Sequence, residues 1–299
     1  MSGSWREIAV LFNPSAGKGL ARRWQPAIIR RLTDSGCRVQ PLLGSNAADS
    51  ARLTADAVAA GVDALLVVGG DGLVHEALQH AVPANVPVGI VPTGSGNDLA
   101  RDLLLPTGDA LAAVDVVIAS HTRRIDLGWA AGRYFATVLA SGFDSRVSER
   151  AYARRWPHGQ LRYTVATLAE LAVFEPIPYT LVVDGEHRAL EAMLVAVGNS
   201  ASYGAGLRMC HGARLDDGAL DVVIIKPLSK RELVRVYPRL YTGGHVTHPR
   251  YERVIARRVS LSADAVMAYA DGERLGPLPV EVQVVPAALT VFTPPPHSG

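Results

Sequence analysis

Three glycine-rich segments of this sequence carry residue types that bind phosphate groups. They read NPSAGKG at Asn13–Gly19, GGDG at Gly69–Gly72 and PTGSGND at Pro92–Asp98, and each follows an apolar run that predicts a β-strand. Glycine lets the backbone approach a ligand closely, and the helix after each loop presents N–H groups and a positive dipole end. One such loop is most often only a turn, whereas three at the strand ends of one sheet predict a polyphosphate site.

The first loop does not fit the common phosphate-binding motifs. Phe12 stands at the first glycine position of a Walker A loop, and Gly19 stands where Ser or Thr would bind magnesium. The G-x-G-x-x-G fingerprint of dinucleotide sites and the G-x-S-x-G elbow of serine hydrolases are both absent. Asp71, at the tip of the second loop, supplies the hard carboxylate oxygens that suit Mg²⁺.

The elements that must position these loops alternate between strands and helices over residues 1–120. Such alternation predicts a doubly wound parallel sheet, in which ligands bind beyond the carboxyl ends of the strands. We predict strands at 8–12, 39–43, 64–68 and 88–91, and helices at 19–32, 47–60, 73–81, 98–104 and 109–120.

After residue 120 the pattern changes to short strands separated by Gly, Asp and Pro turns, which predicts a mostly antiparallel β domain. A helical insert at about 145–174 interrupts it. We therefore expect an α/β domain at 1–120, completed by about 285–299, and a β domain at 121–284. The predicted strands lie at 121–131, 134–139, 179–183, 188–197, 219–225, 257–262 and 267–270.

Composition limits the class of protein. The 299 residues are 48% hydrophobic and 19% charged, which excludes a disordered chain. A net charge of +2 argues against a nucleic-acid binder, and two cysteines cannot form a disulfide framework. Because no apolar run approaches the roughly 18 residues of a membrane span, we expect a cytoplasmic protein, transiently at the inner face of the membrane.

Two basic clusters are candidates for that peripheral contact. One lies in the predicted insert at 145–174, and the other comprises Lys226, Lys230, Arg231, Arg235 and Arg239. A basic amphipathic helix can lie on an anionic bilayer, but a solvated basic face is the plainer interpretation of the first cluster, and the second cluster competes with it for the membrane contact.

Five motifs together resemble the diacylglycerol kinase catalytic-domain family, and most closely its bacterial soluble lipid kinases, which are related to sphingosine and ceramide kinases. Besides the three loops, they are LDDGALDV at 215–222 and DGE at 271–273. The motifs follow the order of the family and span nearly the whole chain. GGDG alone also occurs in NAD kinases and phosphofructokinases, whereas the full set is specific.

The resemblance implies a two-domain lipid kinase with its nucleotide between an α/β domain and a β-sandwich. The last strand, near 288–293, would return to the first domain. ATP with Mg²⁺ would phosphorylate the hydroxyl group of diacylglycerol or a related membrane lipid by direct in-line transfer. Nucleic acid is not an expected partner, and the sequence leaves open whether the protein forms a homodimer.

The resemblance also assigns residues. Asp71 would act near the catalytic Mg²⁺ and Glu273 as the general base, while Arg214, Asp217 and Ala219 would hold a structural Mg²⁺, the first and third through backbone carbonyls. Asp126 is a further candidate for that metal network. The expected nucleotide-binding residues are Asn13, Pro14, Ser15, Ala16, Gly17, Gly44, Gly69, Gly70, Asp71, Gly72, Leu73, Gly94, Ser95, Asn97 and Asp98.

Two positions depart from the family pattern. Leu73 replaces the threonine of GGDGT, and Gly44 or Ser45 stands where a threonine usually reaches the nucleotide. Other interpretations stay open: Asp271–Glu273 and Leu215–Ala219 could be simple hairpin turns. The protein could also be an NAD or small-sugar kinase that shares GGDG, or a nucleotide-responsive lipid-binding regulator without turnover.

Overall fold

A computed structural model describes residues 5–13, 20–143, 145 and 174–295 of the chain, with the backbone alone at 20–22. The predicted helical insert at about 145–174 therefore lies almost wholly outside the described residues, and so does most of the first glycine-rich loop. The chain divides into two units, Met1–Ile125 with Ala287–Gly299, and Asp126–Pro286.

Unit 1 is built on a parallel sheet, as the alternating pattern predicted. Its strands follow the order β2-β1-β3-β4. All six residues of β3 are buried, as expected for a strand that is covered on both faces. The strands are β1 (Glu7–Phe12), β2 (Arg38–Leu43), β3 (Ala64–Gly69) and β4 (Val88–Pro92); the helices are α1 (Leu20–Asp34), α2 (Ala47–Ala59), α3 (Asp71–Ala81), α4 (Asp98–Asp102) and α5 (Ala110–Ile118).

The helix connections place the carboxyl ends of β1, β3 and β4 at one edge of this sheet. Ile8, Leu66 and Val68 pack with residues of α1 and α5 in one hydrophobic cluster. Burying each such side chain contributes roughly 1.5–3 kcal/mol, so the core fixes the strands from which the loops emerge.

Unit 2 is an antiparallel β-sandwich. One sheet has the order β12-β11-β10-β7-β14-β15; in the other, β16, β13, β8 and β9 are neighbours, and β5 pairs with β16 and β6. Side chains from both sheets form one core. The strands are β5 (Thr122–Ala130, which starts in unit 1), β6 (Arg133–Phe135), β7 (Val138–Gly142), β8 (Ile177–Val183), β9 (Glu186–Ala192), β10 (Leu194–Gly198), β11 (Leu220–Ile225), β12 (Tyr251–Ala256), β13 (Arg258–Ser262), β14 (Met267–Ala270), β15 (Glu273–Pro277) and β16 (Val280–Phe292).

A helical segment connects β11 to β12. It consists of α6 (Lys230–Val236) and two 3-10 helices, Tyr237–Tyr241 and Gly244–Thr247. Ser229 caps α6: its hydroxyl accepts a hydrogen bond from the Glu232 N–H, and the Glu232 carboxylate accepts one from the Ser229 N–H. This reciprocal pair defines where the helix begins.

The single strand predicted at 188–197 is wrong. It is two strands, β9 and β10, which belong to different sheets and meet at Met193. β9 is a largely exposed, polar strand at a sheet edge, whereas β10 is apolar and buried throughout. The predicted strand therefore joined two strands with different surroundings.

The last strand is also longer than the predicted 288–293. β16 pairs antiparallel with β13 near Val280 and parallel with β4 at Val291. Ala287 has a φ of 46°, and it follows Pro286, which has no N–H to donate to a ladder. The same strand therefore serves unit 2 before this point and unit 1 after it.

Candidate active site

The second and third glycine-rich loops meet through their backbones at the carboxyl edge of the parallel sheet. A Cβ on Gly94 would lie 2.5 Å from the Cα of Gly70, and a Cβ on Gly70 would lie 3.1 Å from the Cα of Gly94. The N–H of Thr93 donates to the carbonyl of Gly69 at 2.9 Å. A side chain at Gly94 would force the loops apart and one at Gly70 would be tight, because backbone touches backbone. The structure thereby brings the two loops together.

Asp71 ties these loops to each other from the first turn of α3. Its Oδ2 accepts the N–H of Asn97 at 2.7 Å, and its Oδ1 accepts the N–H of Asp98 at 2.8 Å. Asn97 has a left-handed φ of 57°, and its side chain closes the loop on both the N–H and the carbonyl of Gly94. The predicted metal-binding carboxylate thus also holds the third loop in place.

The backbone of Gly96 lies close against two carboxylates. A Cβ there would lie 2.5 Å from Asp71 Oδ2 and 3.4 Å from Asp98 Oδ2, so only glycine fits and the two carboxylates lie side by side along the loop. Mg²⁺ is usually held by one or two carboxylates, with waters and substrate phosphates completing its shell. In the described part of the chain, no three His, Cys, Asp or Glu side chains form a metal-binding group. The residues therefore fit a metal that arrives with a nucleotide.

The other nucleotide-binding candidates of unit 1 lie around the same edge or pack within it. Asn13 directly follows β1, and its N–H donates to the carbonyl of Val68. Gly72 lies beside Asp71 in α3, and Ser95 is exposed at the tip of the third loop. Pro14, Ser15, Ala16 and Gly17 lie outside the described residues.

The two departures from the family pattern have packing explanations. A Cβ at Gly44 would overlap Ser50 of α2, so the close approach of that helix leaves no room for a side chain. The Leu73 side chain lies over Gly69, where its Cδ2 would be 2.7 Å from an added Cβ. Both positions serve packing at this edge.

In unit 2 the Asp271–Glu273 motif forms the β14–β15 hairpin turn and projects a carboxylate from it. Asp271 and Gly272 have φ values of 52° and 82°, as in a two-residue type I′ turn. Asp271 is buried, and its carboxylate accepts hydrogen bonds from the Ala136 N–H, the Thr137 N–H and the Thr137 hydroxyl. Glu273 is exposed, and among the described residues its carboxylate has no hydrogen-bond or ion-pair partner. The turn is therefore anchored, and Glu273 faces solvent.

The segment Arg214–Ala219 is held by Asp126. The Asp126 Oδ2 accepts the N–H of Gly218 at 2.6 Å, and the Asp126 N–H donates to the carbonyl of Leu215 at 2.6 Å. Asp217 is exposed, and its Oδ1 accepts the Ala219 N–H at 3.1 Å. Of the three predicted metal ligands only Asp217 offers a side-chain oxygen, so a metal in this segment stays a prediction.

An ion pair between a buried carboxylate and an exposed arginine lies beside that segment. Asp221 and Arg253 are hydrogen-bonded, and Arg253 also donates to the carbonyl of Gly212 at 3.1 Å. Burial raises the pKa of Asp221, the hydrogen bond from Arg253 opposes that rise, and the negative charge of Asp217 adds to it.

Unit 2 also contains an apolar cavity that sequence reasoning missed. It measures about 40 Å³ and is lined by apolar side chains and Tyr237. Leu233, Val236 and Leu240 face it from the helical segment, at the helical spacing that could have revealed it. The opposite walls include Met193, Leu207, Met209 and Ile225.

An α/β unit with glycine loops and paired carboxylates, followed by a β-sandwich, is an arrangement that suits a nucleotide-dependent phosphotransferase, and the comparisons with known proteins identify the class. Residues 7–130 match the diacylglycerol kinase catalytic domain, and residues 137–293 match the YegS C-terminal NAD kinase beta sandwich-like domain. Diacylglycerol kinase of Mycobacterium tuberculosis (strain ATCC 25618 / H37Rv) is 41% identical over 294 residues, which cover 96% of this chain and 95% of that protein. The chain belongs to the diacylglycerol kinase catalytic-domain family, and it is a kinase.

Two more distant relatives match more than nine-tenths of this chain. Diacylglycerol kinase of Bacillus subtilis (strain 168) is 28% identical over 283 residues, with 92% of each chain covered. The crystal structure of a diacylglycerol kinase from Bacillus anthracis str. Sterne has a TM-score of 0.79 at 23% identity, covering 97% of this chain and 98% of that one. At this low identity, the comparison with the crystal structure shows the fold alone.

The described helices include none that is long and apolar enough to cross a bilayer.

Proposed function

We propose that the protein transfers the γ-phosphoryl group of ATP to the hydroxyl group of a diacylglycerol at a membrane surface. Relatives that match 96% and 92% of this chain are named diacylglycerol kinase, which supports the proposal. The observation that carries the proposal is the carboxyl edge of the parallel sheet, where the carboxylates of Asp71 and Asp98 lie beside Gly96 and two glycine-rich loops touch.

The residues of unit 1 bind and orient the nucleotide phosphates. Gly70 and Gly94 allow the backbones of the second and third loops to touch. Gly70 is also the N-cap of α3, and the N-terminus of that helix favours negative charge. Asp71 and Asp98 would hold Mg²⁺, which when bound neutralises charge on the phosphates. Phosphoryl transfer depends mainly on such positioning and charge neutralisation.

Glu273 is the group proposed to take the proton from the acceptor hydroxyl. Its carboxylate stands at the end of an anchored turn, and the described residues offer it no competing partner. A positioned general base of this kind contributes typically about 10²–10⁴-fold to a rate.

The apolar cavity supports a lipid acceptor, because it could receive part of an acyl chain. Leu233→Trp, a change of a half-buried lining residue, should fill it from the helical segment. Excluding about two methylene groups at about 0.8 kcal/mol each lowers kcat/KM for dioleoylglycerol about tenfold. The value for water-soluble dibutyrylglycerol should stay unchanged, because its chains are too short to need the cavity. Steady-state kinetics with both substrates measures the difference.

Ile255→Trp is the matched control, since Ile255 is 60% exposed on β12, away from the cavity. It should leave both substrates unaffected. If Leu233→Trp slows both substrates equally, or neither, the cavity does not receive the acyl chain.

The outer side of the same helical segment is basic and supports contact with an anionic bilayer. We call Lys230, Arg231, Arg235 and Arg239 the α6 basic face; all four are exposed, with Val234 and Tyr241 exposed between and beyond them. Among the described residues no carboxylate pairs with Arg231, Arg235 or Arg239. In contrast, Lys226 is bound to Glu252 at 2.8 Å.

Replacing Arg231, Arg235 and Arg239 together by glutamine should weaken binding to phosphatidylglycerol-containing vesicles up to about 10²-fold, at about 1 kcal/mol per charge. Vesicle co-sedimentation at low and high salt measures this, and the difference should shrink as salt rises. The control variant replaces Arg23 and Arg30 of α1 and Arg52 of α2 by glutamine. It removes the same number of positive charges from unit 1. If both triple variants bind vesicles equally, the α6 basic face is not the contact surface.

A further inference from the structure

Asn199 lies where two functional segments of unit 2 are joined by buried hydrogen bonds. It follows β10 and is completely buried, and the residues it contacts carry the Asp271–Glu273 turn on one side and Arg214–Ala219 on the other. We propose that Asn199 is a positioning residue, which holds the general base Glu273 and the predicted metal-binding segment in one rigid frame. The inference rests on the proposed function.

The Asn199 side chain joins two backbone segments. Its Nδ2 donates to the carbonyl of Asp126 at 2.8 Å and to the carbonyl of Ala136 at 2.9 Å. Because both partners are acceptors, only the amide NH₂ can face them, which settles the orientation of the side chain. The backbone N–H of Asn199 also donates to the carbonyl of Thr137 at 2.8 Å.

One branch leads from Asn199 to the general base. Ala136 and Thr137, which Asn199 holds by their carbonyls, donate three hydrogen bonds to the Asp271 carboxylate. Asp271 lies two residues before Glu273 in the hairpin turn, and its N–H donates to the carbonyl of Val138. A displacement of residues 136–137 would therefore move the turn that carries Glu273.

The other branch leads to the predicted metal-binding segment. Asp126, whose carbonyl accepts from Asn199, holds Gly218 through its side chain and Leu215 through its own N–H. Asp126 and Thr137 are each 3% exposed, so water competes little for any of these bonds. The two branches share Asn199, and no other described side chain donates to both Asp126 and Ala136.

The residue type itself supports this role. The Oδ1 of Asn199 is buried and has no hydrogen-bond partner among the described residues. A buried acceptor without a partner destabilises a fold, so a small apolar residue would be expected here if packing alone mattered. What asparagine adds is one NH₂ group that satisfies two carbonyls at once.

The test compares three variants by kinetics and by amide hydrogen exchange. Asn199→Ala removes the shared donor, and Thr137→Val removes only the hydroxyl bond to Asp271. Ser141→Ala is the matched control, because Ser141 is also fully buried and bonded to a backbone carbonyl, of Val195, outside both branches. A misplacement of about 1 Å can cost about 10²-fold, so Asn199→Ala should lower kcat at least about tenfold and change KM for ATP less than about twofold.

Hydrogen exchange separates a positioning role from general destabilisation. Asn199→Ala should speed exchange at least about tenfold in peptides that contain residues 136–137 and in those that contain Gly218. Thr137→Val should affect the first group alone, and Ser141→Ala neither. If Asn199→Ala lowers only the unfolding midpoint, as Ser141→Ala should, or loosens only one branch, the proposal is overturned.

Two further results are interpreted separately: an Asn199 variant that does not fold, and a wild-type protein without lipid kinase activity. If Asn199→Ala does not fold, Thr137→Val decides: a fall in kcat with unchanged KM for ATP supports the frame, and wild-type kcat overturns it. If the wild-type protein transfers no phosphate to diacylglycerol, the proposed function fails. The exchange pattern then still shows whether Asn199 joins the two segments.

Discussion

Glu273→Gln should lower kcat for diacylglycerol phosphorylation at least about 10²-fold, because glutamine cannot accept the proton of the acceptor hydroxyl. KM for ATP should change less than about twofold, since the nucleotide phosphates are assigned to the loops of unit 1. The turn itself should persist, because Asp271 rather than Glu273 makes the bonds that anchor it. Transfer of label from γ-labelled ATP at saturating lipid measures the effect.

Glu191→Gln provides the comparison for this prediction. Glu191 is likewise an exposed glutamate on a strand of unit 2, and its replacement should leave kcat unchanged. Turnover of the Glu273 variant at the wild-type rate would remove Glu273 from the mechanism. A raised KM for ATP with unchanged kcat would instead assign Glu273 to nucleotide binding.

Asp71→Asn should lower kcat by roughly 10²–10³-fold, the range for loss of one preorganised electrostatic contact. The change removes a negative charge beside Gly96 and leaves one oxygen to accept two N–H groups, those of Asn97 and Asp98. We therefore expect a higher Mg²⁺ concentration for half-maximal activity as well as slower turnover. A Mg²⁺ titration of the initial rate measures both quantities.

Asp63→Asn is a close match for Asp71→Asn. The Asp63 carboxylate also accepts two backbone N–H groups, of Arg6 and Glu7, but it precedes β3 and so lies at the opposite edge of the same sheet. Asp63→Asn should lower the free energy of unfolding and leave the Mg²⁺ concentration for half-maximal activity unchanged. If Asp71→Asn behaves like Asp63→Asn, Asp71 serves only to tie the loops together.

The parallel unit could be predicted because its signals are local. Apolar runs of strand length, glycine loops and helical periodicity each lie within about 15 residues, and together they gave the right order of elements. The strand predicted at 188–197 failed for the opposite reason. Its division at Met193 depends on pairing with β8 in one sheet and with β7 and β11 in the other, and these contacts are distant in sequence.

The candidate site also contains residues that the sequence could predict and residues that it could not. Asp71, Asp98 and Glu273 lie in short motifs with typical residue types, so the sequence points to them. Thr137 and Asn199 carry no motif, and their importance arises from hydrogen bonds to residues 134 and 73 positions away. The apolar cavity likewise combines residues from separate strands and one helical segment.

The most direct test of the central claim is transfer of the γ-phosphoryl group of ATP, with Mg²⁺, into a panel of acceptors in mixed micelles. The panel comprises diacylglycerol, monoacylglycerol, ceramide, sphingosine and phosphatidylglycerol, with NAD as a soluble alternative. We predict label in diacylglycerol that is lost with Glu273→Gln. Label in NAD alone, or in no acceptor despite ATP binding, would contradict the proposed function, and the second result would favour a lipid-binding regulator without turnover.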